Sequence, residues 1–110
     1  MRSLIRLALV TAIILLSTAP MAHADAIDGN WCNPEGGNFE IRGSEILTPG
    51  GTRMAGVYTR HTFRYVAPDG DRASGQSINM ALIDNETLHL LIEGSNGEIE
   101  IWRRCSVHTS

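Results

Sequence analysis

Residues 77–92 read SINMALIDNETLHLLI, and this stretch decides the fold class. Apolar side chains recur at every second position on both sides of a short polar segment: Ile78, Met80 and Leu82 before it, Leu88, Leu90 and Ile92 after it. A period of two is typical of antiparallel strands that pack one face on a core. The polar pair Asp84-Asn85 supplies turn residues between the two halves. The stretch therefore predicts a β-hairpin.

Turn signals of the same kind divide the chain on either side of this hairpin. They are clusters of glycine, proline, asparagine and aspartate, at Asn33 to Gly37, Gly43-Ser44, Pro49 to Gly51, Pro68 to Asp71 and Gly94 to Gly97. The segments between them are short, alternate in polarity and lack a helical stripe. Alternation places Ile99 and Ile101 on the core face of the last segment. We predict an all-β domain built as an antiparallel meander of about seven strands.

The two cysteines connect the ends of this meander. Cys32 lies in the first predicted strand and Cys105 follows the last. In an oxidising compartment such a pair predicts a disulfide, which requires Cα atoms about 4.4–6.8 Å apart. The first and last strands must then be neighbours, which indicates a closed or nearly closed barrel. A two-sheet β-sandwich also satisfies the distance and is the alternative.

The first 24 residues predict a cleaved signal peptide. Arg2 and Arg6 precede an apolar run at Leu7–Leu16, and the small-x-small motif Ala22-His23-Ala24 follows. The run is shorter than the roughly 20 residues that span a bilayer, so we expect no membrane insertion after cleavage. Residues 25–110 then form a single β-rich domain. It is expected to be periplasmic or secreted.

Composition narrows the class of partner. All nine basic residues are arginine, which is typical of a high-GC bacterial genome. Without Arg2 and Arg6, seven arginines face twelve acidic residues, a net charge of 7 − 12 = −5. An acidic domain without a basic run is a poor ligand for nucleic acid, because phosphate neutralisation dominates that binding.

The stretch Asp28-Gly29-Asn30-Trp31 resembles the Gly-x-Trp motif that opens the first strand of lipocalins and related calycins. That resemblance implies an up-and-down barrel in which an arginine of the last strand, here Arg103 or Arg104, packs over Trp31. Gly29, Trp31 and these arginines are then structural residues. The wider run from Asp28 through Arg64 also resembles small exported proteobacterial proteins of unassigned function.

No motif discloses a reaction. The densest polar and aromatic group is Tyr58, Arg60, His61 and Arg64, which could bind an anion or supply an acid–base group. The alternative is a core role for His61, because alternation places it with Val57, Phe63 and Tyr65. The histidines are too scattered for a metal site, and neither a nucleophile elbow nor a cofactor motif is present. Glu98 and Glu100 are expected on one exposed face.

We therefore expect an exported, non-enzymatic binding or interaction module without a cofactor. A concrete version is an inhibitor of an envelope-directed hydrolase, because small stapled barrels display loops rigidly. Its partner is an unknown protein or small molecule, and an exposed apolar patch would support this reading. The alternative is a carrier of a small apolar molecule inside the barrel, in a cavity lined by Val57, Phe63, Met80, Leu82, Leu90 and Ile101.

Overall fold

The computed structural model describes residues 25–106, which form an all-β domain. The predicted signal peptide, its cleavage motif and the last four residues lie outside the described residues. Nine strands follow one another: β1 (Gly29–Cys32), β2 (Asn38–Arg42), β3 (Glu45–Leu47), β4 (Arg53–Ala55), β5 (Val57–Tyr58), β6 (Thr62–Val66), β7 (Ser77–Asp84), β8 (Thr87–Ile92) and β9 (Ile99–Arg104). The all-β prediction is confirmed. The expected count of about seven was low, because β3, β4 and β5 have only two or three residues and show little alternation.

All nine strands belong to one antiparallel sheet in the order β4-β3-β2-β1-β9-β8-β7-β6-β5. The first and last strands pair, Trp31 opposite Arg104 and Cys32 opposite Arg103. The Cys32–Cys105 disulfide crosses this seam with a Cα–Cα distance of 4.9 Å. The disulfide, the neighbouring termini and the nearly closed barrel are thus confirmed, and the sandwich alternative is not adopted.

The two sheet edges, β4 and β5, are joined by Gly56 alone. β4 pairs with β3 and β5 pairs with β6, so the chain changes partner at this glycine. The Gly56 N–H donates to the Ser44 carbonyl at 2.9 Å. A Cβ at position 56 would collide with the Phe63 ring and the Arg64 carbonyl. Only glycine fits where the barrel wall closes on itself.

Side chains fill the barrel interior. Its largest fully buried members are Trp31, Trp102, Phe39 and Phe63, and the Phe39 and Trp102 ring centroids lie 4.8 Å apart. The apolar positions predicted from residues 77–92 face inward with them: Ile78, Met80, Leu88, Leu90 and Ile92 are at most 9 % exposed. Leu82 is partly buried and packs against the same core. An eight- or nine-stranded barrel is just wide enough for such filling.

The face expected for β9 was wrong. Ile99 and Ile101 point outward and are each 49 % exposed, whereas Trp102 is 1 % exposed in the core. Trp102 and the two isoleucines lie on opposite faces of the strand, so they compete for the interior. The indole has the larger apolar surface to bury, which decides the orientation.

One end of the barrel is closed around Arg104. Its guanidinium carbon lies 4.2 Å from the Trp31 ring centroid. The guanidinium donates to the carbonyls of Asn85, Asp28 and Ala26 at 2.5 to 2.8 Å. Gly29, at φ 133°, provides the space, because a Cβ there would lie 2.5 Å from a guanidinium nitrogen. Arg104 therefore takes the position over Trp31, while Arg103 is exposed and donates to the Thr87 hydroxyl at 3.1 Å.

The N-terminal segment at residues 25–28 ties the short turns of this end together. The Ile27 N–H donates to the Arg60 carbonyl in the β5–β6 turn at 3.0 Å. The Asp28 carboxylate accepts from the Gly43 N–H in the β2–β3 turn at 3.0 Å. Ile27 is fully buried and its carbonyl accepts the Trp31 indole N–H at 3.0 Å. The longer connections, at 33–37, 48–52, 67–76 and 93–98, emerge at the opposite end, which we call the mouth.

Removing the Cys32–Cys105 disulfide should destabilise the domain. The disulfide joins two residues 73 positions apart. In the chain-entropy model, closing a loop of this length stabilises the folded state by at most about 4 kcal/mol. Since 1 kcal/mol shifts Tm by roughly 4–8 °C in a domain of this size, reduction should lower Tm by about 15–30 °C. Thermal melts followed by circular dichroism, with and without reductant, measure this. The double variant Cys32→Ser, Cys105→Ser should have a low Tm that reductant does not change. An unchanged Tm of the wild type after verified reduction would contradict the stabilising role.

The two adjacent arginines form a matched pair for a second test. Arg104→Met removes three hydrogen bonds and the indole contact, so it should lower the free energy of unfolding by about 2–4 kcal/mol. Arg103→Met removes one exposed hydrogen bond and should cost less than about 1 kcal/mol. Urea denaturation of the two variants measures the difference. Equal losses would show that Arg104 does not organise the closed end.

Candidate functional site

The four predicted ligand candidates lie on different parts of the barrel wall. Tyr58 faces inward and packs against the core, whereas Arg64 points outward on β6. Arg60 and His61 are exposed in the β5–β6 turn. The structure therefore does not bring these four side chains together in one pocket. The alternative of a core histidine at position 61 was also wrong.

The reason is a turn that interrupts the alternation. The Thr59 N–H donates to the Thr62 carbonyl at 3.0 Å. The Thr59 hydroxyl accepts from the backbone N–H groups of His61 and Thr62 at 3.3 and 3.0 Å. This side-chain-capped turn reverses the chain, so Val57 pairs with Arg64 on the outside and is 63 % exposed.

The main exposed apolar surface lies on the outer wall. Register places Leu91 of β8 beside Ile99 of β9, and Ala81 of β7 in line with His89 and Ile101. Val57 and Ile83 line the same open groove, whose volume is about 500 Å³. Of the five large apolar side chains that are exposed in residues 25–106, only Val66 does not belong to this surface. We call it the outer patch: Val57, Ala81, Ile83, Leu91, Ile99 and Ile101.

Sequence reasoning did not find the outer patch, although a signal was present. Ala81-Leu82-Ile83 and Leu90-Leu91-Ile92 are apolar at consecutive positions. In a strand, consecutive apolar residues place apolar surface on both faces. Only one face of a barrel strand meets the interior, so the other becomes an exposed apolar wall.

A second polar group, at the mouth, was also missed. Arg72 donates two hydrogen bonds to the Glu100 carboxylate, at 2.8 and 3.0 Å. The Trp102 indole N–H donates to the same carboxylate at 3.2 Å. Glu100 therefore faces the mouth and is partly buried, whereas the sequence predicted that it would be exposed like Glu98. The hydrogen bonds from Arg72 hold the pKa of Glu100 below its usual value and raise that of Arg72.

Arg72, Glu100 and Tyr65, which we call the mouth cluster, suit charge pairing better than proton transfer. Burial, with the nearby Asp71 carboxylate, raises the pKa of Tyr65 to about 12. Tyr65 is therefore neutral at pH 7, and Glu100 is ionised and neutralised by Arg72. A general acid or base works best with a pKa near the working pH. Neither side chain meets that condition.

Beside the mouth cluster an open groove of about 550 Å³ runs between β9 and the β1–β2 loop. We call it the seam groove, and it is lined by Pro34, Glu35, Arg72, Glu100, Ile101 and Trp102. Trp102 is buried and Ile101 is exposed, so the groove follows the wall of β9 from inside to outside. It borders the outer patch at Ile101.

The interior leaves little space at the mouth. The cavity among Tyr65, Leu90, Ile92 and Trp102 has a volume of about 30 Å³, about the room that one water takes. Val57 and Ile101, expected to line an interior cavity, point outward instead. Within residues 25–106, no three His, Cys, Asp or Glu side chains lie together as metal ligands would. That part of the chain also contains no helix long and apolar enough to cross a membrane.

The Arg72–Glu100 pair should make stability depend on pH. Because the pKa of folded Glu100 lies below its ordinary value of 4.5, its ionised form stabilises the fold above pH 4.5 and the contribution is lost as pH falls through the lowered pKa. Glu100→Gln should therefore unfold more easily than the wild type at pH 7, with the difference shrinking in acid. Denaturant titrations from pH 7 to 3 measure it. Glu98→Gln, in the connection before β9, is the control. A wild-type advantage over Glu100→Gln that stays constant in acid would contradict the pairing.

No family model, no curated protein and no solved structure matches this chain. The resemblance of Gly29-Asn30-Trp31 to the opening motif of lipocalins therefore remains a prediction, and so does the resemblance to small exported proteobacterial proteins.

Proposed function

We propose that this protein is an exported, non-enzymatic interaction module that binds a partner protein through the outer patch. The observation that carries the proposal is the concentration of exposed apolar side chains on β5, β7, β8 and β9. Exposed apolar patches rimmed by polar residues mark interaction sites in soluble proteins. Arg64, Asn79 and His89 provide such polar groups in and around this patch.

The wall that carries the patch is well suited to recognition. β8 pairs with β9 without interruption, and β7 pairs with β8 from Ile78 to Leu82 before an irregularity at Ile83. The inner faces of these strands rest on a filled core. A partner that binds them orders few side chains, since isoleucine, leucine and valine have little rotamer freedom to lose. A rigid surface of this kind keeps the entropic cost of association low.

An inhibitor of an envelope-directed hydrolase is the concrete form of the proposal. Such a protein needs a stable, preformed surface and no reaction of its own. The mouth cluster supports this, because its carboxylate is paired with Arg72 and its phenol stays protonated. Export through a cleaved leader, predicted for residues 1–24, would place the protein with envelope enzymes.

The carrier alternative receives no comparable support. It requires interior space for a small apolar molecule. Trp31, Phe39, Phe63 and Trp102 occupy the interior instead, and the cavity at the mouth measures about 30 Å³. Ligand pockets are ordinarily about ten times larger or more.

Two substitutions of equal exposure test the proposal. Ile83→Arg places a charge in the outer patch, where Ile83 is 54 % exposed, and Val66→Arg does so outside it, where Val66 is 52 % exposed. An arginine buried within an apolar interface should weaken binding at least tenfold, since burying its charge costs several kcal/mol. The measurement compares how far the three purified proteins inhibit muramidase and protease activities in a periplasmic extract, together with the proteins that each retains.

We expect the wild type and Val66→Arg to behave alike and Ile83→Arg to lose both inhibition and bound protein. Melting curves of all three confirm that the folds are intact. If Ile83→Arg retains the same partner as Val66→Arg with the same affinity, the outer patch is not the binding surface. If none of the three binds a protein or inhibits an extract, the interaction function itself is wrong.

A further inference from the structure

The barrel wall is incomplete beside the upper half of β9. β1 pairs with β9 only at Arg103 and Arg104, although β9 begins at Ile99. β8 pairs with β9 along the whole interval from Ile99 to Arg103. From Ile99 to Trp102, β9 therefore has a neighbouring strand on one side only within the described residues.

The direction of the unpaired backbone groups follows from two hydrogen bonds. The Arg104 N–H donates to the Glu86 carbonyl at 3.4 Å, on the β8 side. The Cys105 N–H donates to the Asn30 carbonyl at 3.0 Å, on the β1 side. Backbone groups alternate in direction along a strand, so those of Ile99 and Ile101 point away from β8 into the gap.

The loop that borders the gap does not supply these groups with partners. Register continues from Cys32 opposite Arg103 to Pro34 opposite Ile101, and proline has no N–H. The Asn33 N–H donates to the Gly37 carbonyl at 3.1 Å, and the Gly36 N–H donates to the Asn33 carbonyl at 3.2 Å. The loop thus closes on itself, and among residues 25–106 the edge of β9 stays open.

Side chains on the two faces of this edge differ in character. Outside, Ile99 and Ile101 continue the outer patch and are about half exposed. Inside, the seam groove contains two carboxylates, Glu35 and Glu100, and one guanidinium, Arg72. Since Arg72 is paired with Glu100, the groove has an excess of one negative charge.

We propose that the edge of β9 at Ile99–Ile101 binds an extended segment of a partner protein as an added antiparallel strand. The segment takes the position that a longer β1 would occupy. It presents apolar residues outward beside Ile99 and Ile101 and basic residues inward to Glu35 and Glu100. Strand addition of this kind uses main-chain hydrogen bonds for affinity and alternate side chains for specificity. The inference rests on the proposed interaction function and names the partner's binding element.

Charge selects a partner protein over a second copy of this chain. Two copies that paired edge to edge would bring Glu35, Glu98 and Glu100 of one chain towards the same residues of the other. Like charges across a strand pair are destabilising. A basic segment meets no such repulsion.

Amide exchange tests the edge without a variant. In the free protein, the N–H groups of Ile99 and Ile101 should exchange fast, while those of Glu100 and Trp102, directed to β8, should be protected. We would then add the synthetic peptide acetyl-Val-Lys-Val-Arg-Val-Lys-Val-amide, which should protect Ile99 and Ile101 at least tenfold. Slow exchange of these two amides in the free monomer would overturn the proposal, because the edge would already be covered.

Two variants at Ile101 separate the contribution of the backbone N–H to peptide binding from that of the side chain. Ile101→Pro removes the N–H that faces the gap, and proline is tolerated where a strand's N–H faces solvent. Ile101→Ala shortens the side chain but keeps the N–H. Calorimetric titration with the same peptide should show about tenfold weaker binding for Ile101→Pro than for Ile101→Ala, as expected for one lost hydrogen bond with its side-chain contacts matched. The peptide with glutamate in place of its basic residues should not bind.

Besides slow amide exchange in the free monomer, three further outcomes overturn the inference. One is equal affinity of the Pro and Ala variants, and another is equal binding of the acidic peptide. The third is concentration-dependent dimerisation that itself protects Ile99 and Ile101, which would make a second copy the occupant. If a natural partner is lost with Ile83→Arg but kept with Ile101→Pro, the interaction function stands and only the strand-addition mechanism fails.

Discussion

The pairing of the first strand with the last is the constraint on which the rest of this structure depends. It brings Trp31 under Arg104 and Cys32 beside Cys105, so residues 73 apart are fixed twice, once by packing and once covalently. Without this seam, the strands would form two separate sheets, of four and five strands, with β1 and β9 as free edges. With it, the remaining strands need only meet at Gly56. The core, the closed end and the mouth all follow from that closure.

The Arg104 side chain connects β1, the N-terminal segment and the β7–β8 turn. Its guanidinium covers the Trp31 ring. Hydrogen bonds to three backbone carbonyls hold it in that position. Those carbonyls belong to the N-terminal segment and to the β7–β8 turn. The closed end is therefore held by a cation that satisfies orphan backbone acceptors. A filled barrel with one sealed end directs any recognition to the outer wall and to the mouth.

The sequence predicted the strands best where alternation was clean and turns were marked by glycine, proline or paired Asx residues. The hairpin at 77–92 satisfied both conditions, and its inward face was correct. The segment from Val57 to Tyr65 failed, because its turn is stabilised by the Thr59 hydroxyl and contains neither glycine nor proline. β9 failed for another reason: isoleucines and Trp102 alternate, and the choice of inner face depends on packing volume in the assembled barrel.

The candidate surfaces were harder to predict because they depend on distant pairs. Arg72 and Glu100 are 28 residues apart, and no local pattern indicates that they meet. The outer patch could have been inferred from Ala81-Leu82-Ile83 and Leu90-Leu91-Ile92, where apolar residues occupy both faces. The gap beside Ile101 depends on the lengths of β1 and β9, which become visible only once the strands are paired. Local sequence thus determines strands, while strand lengths and register determine surfaces.

The disulfide also determines how the domain would respond to mechanical load. Cys32 and Cys105 lie near the two ends of the described chain, so a pull on those ends passes through the sulfur–sulfur bond. The chain between them, which contains β2 to β9, lies outside that path and bears no tension. Among the described residues, the load falls on residues 25–31, which include the start of β1, and on Ser106, because these lie outside the disulfide loop. When the domain is pulled at its ends, the mouth and the outer patch therefore carry no load, whereas the pairing of Gly29, Asn30 and Trp31 with β2 does.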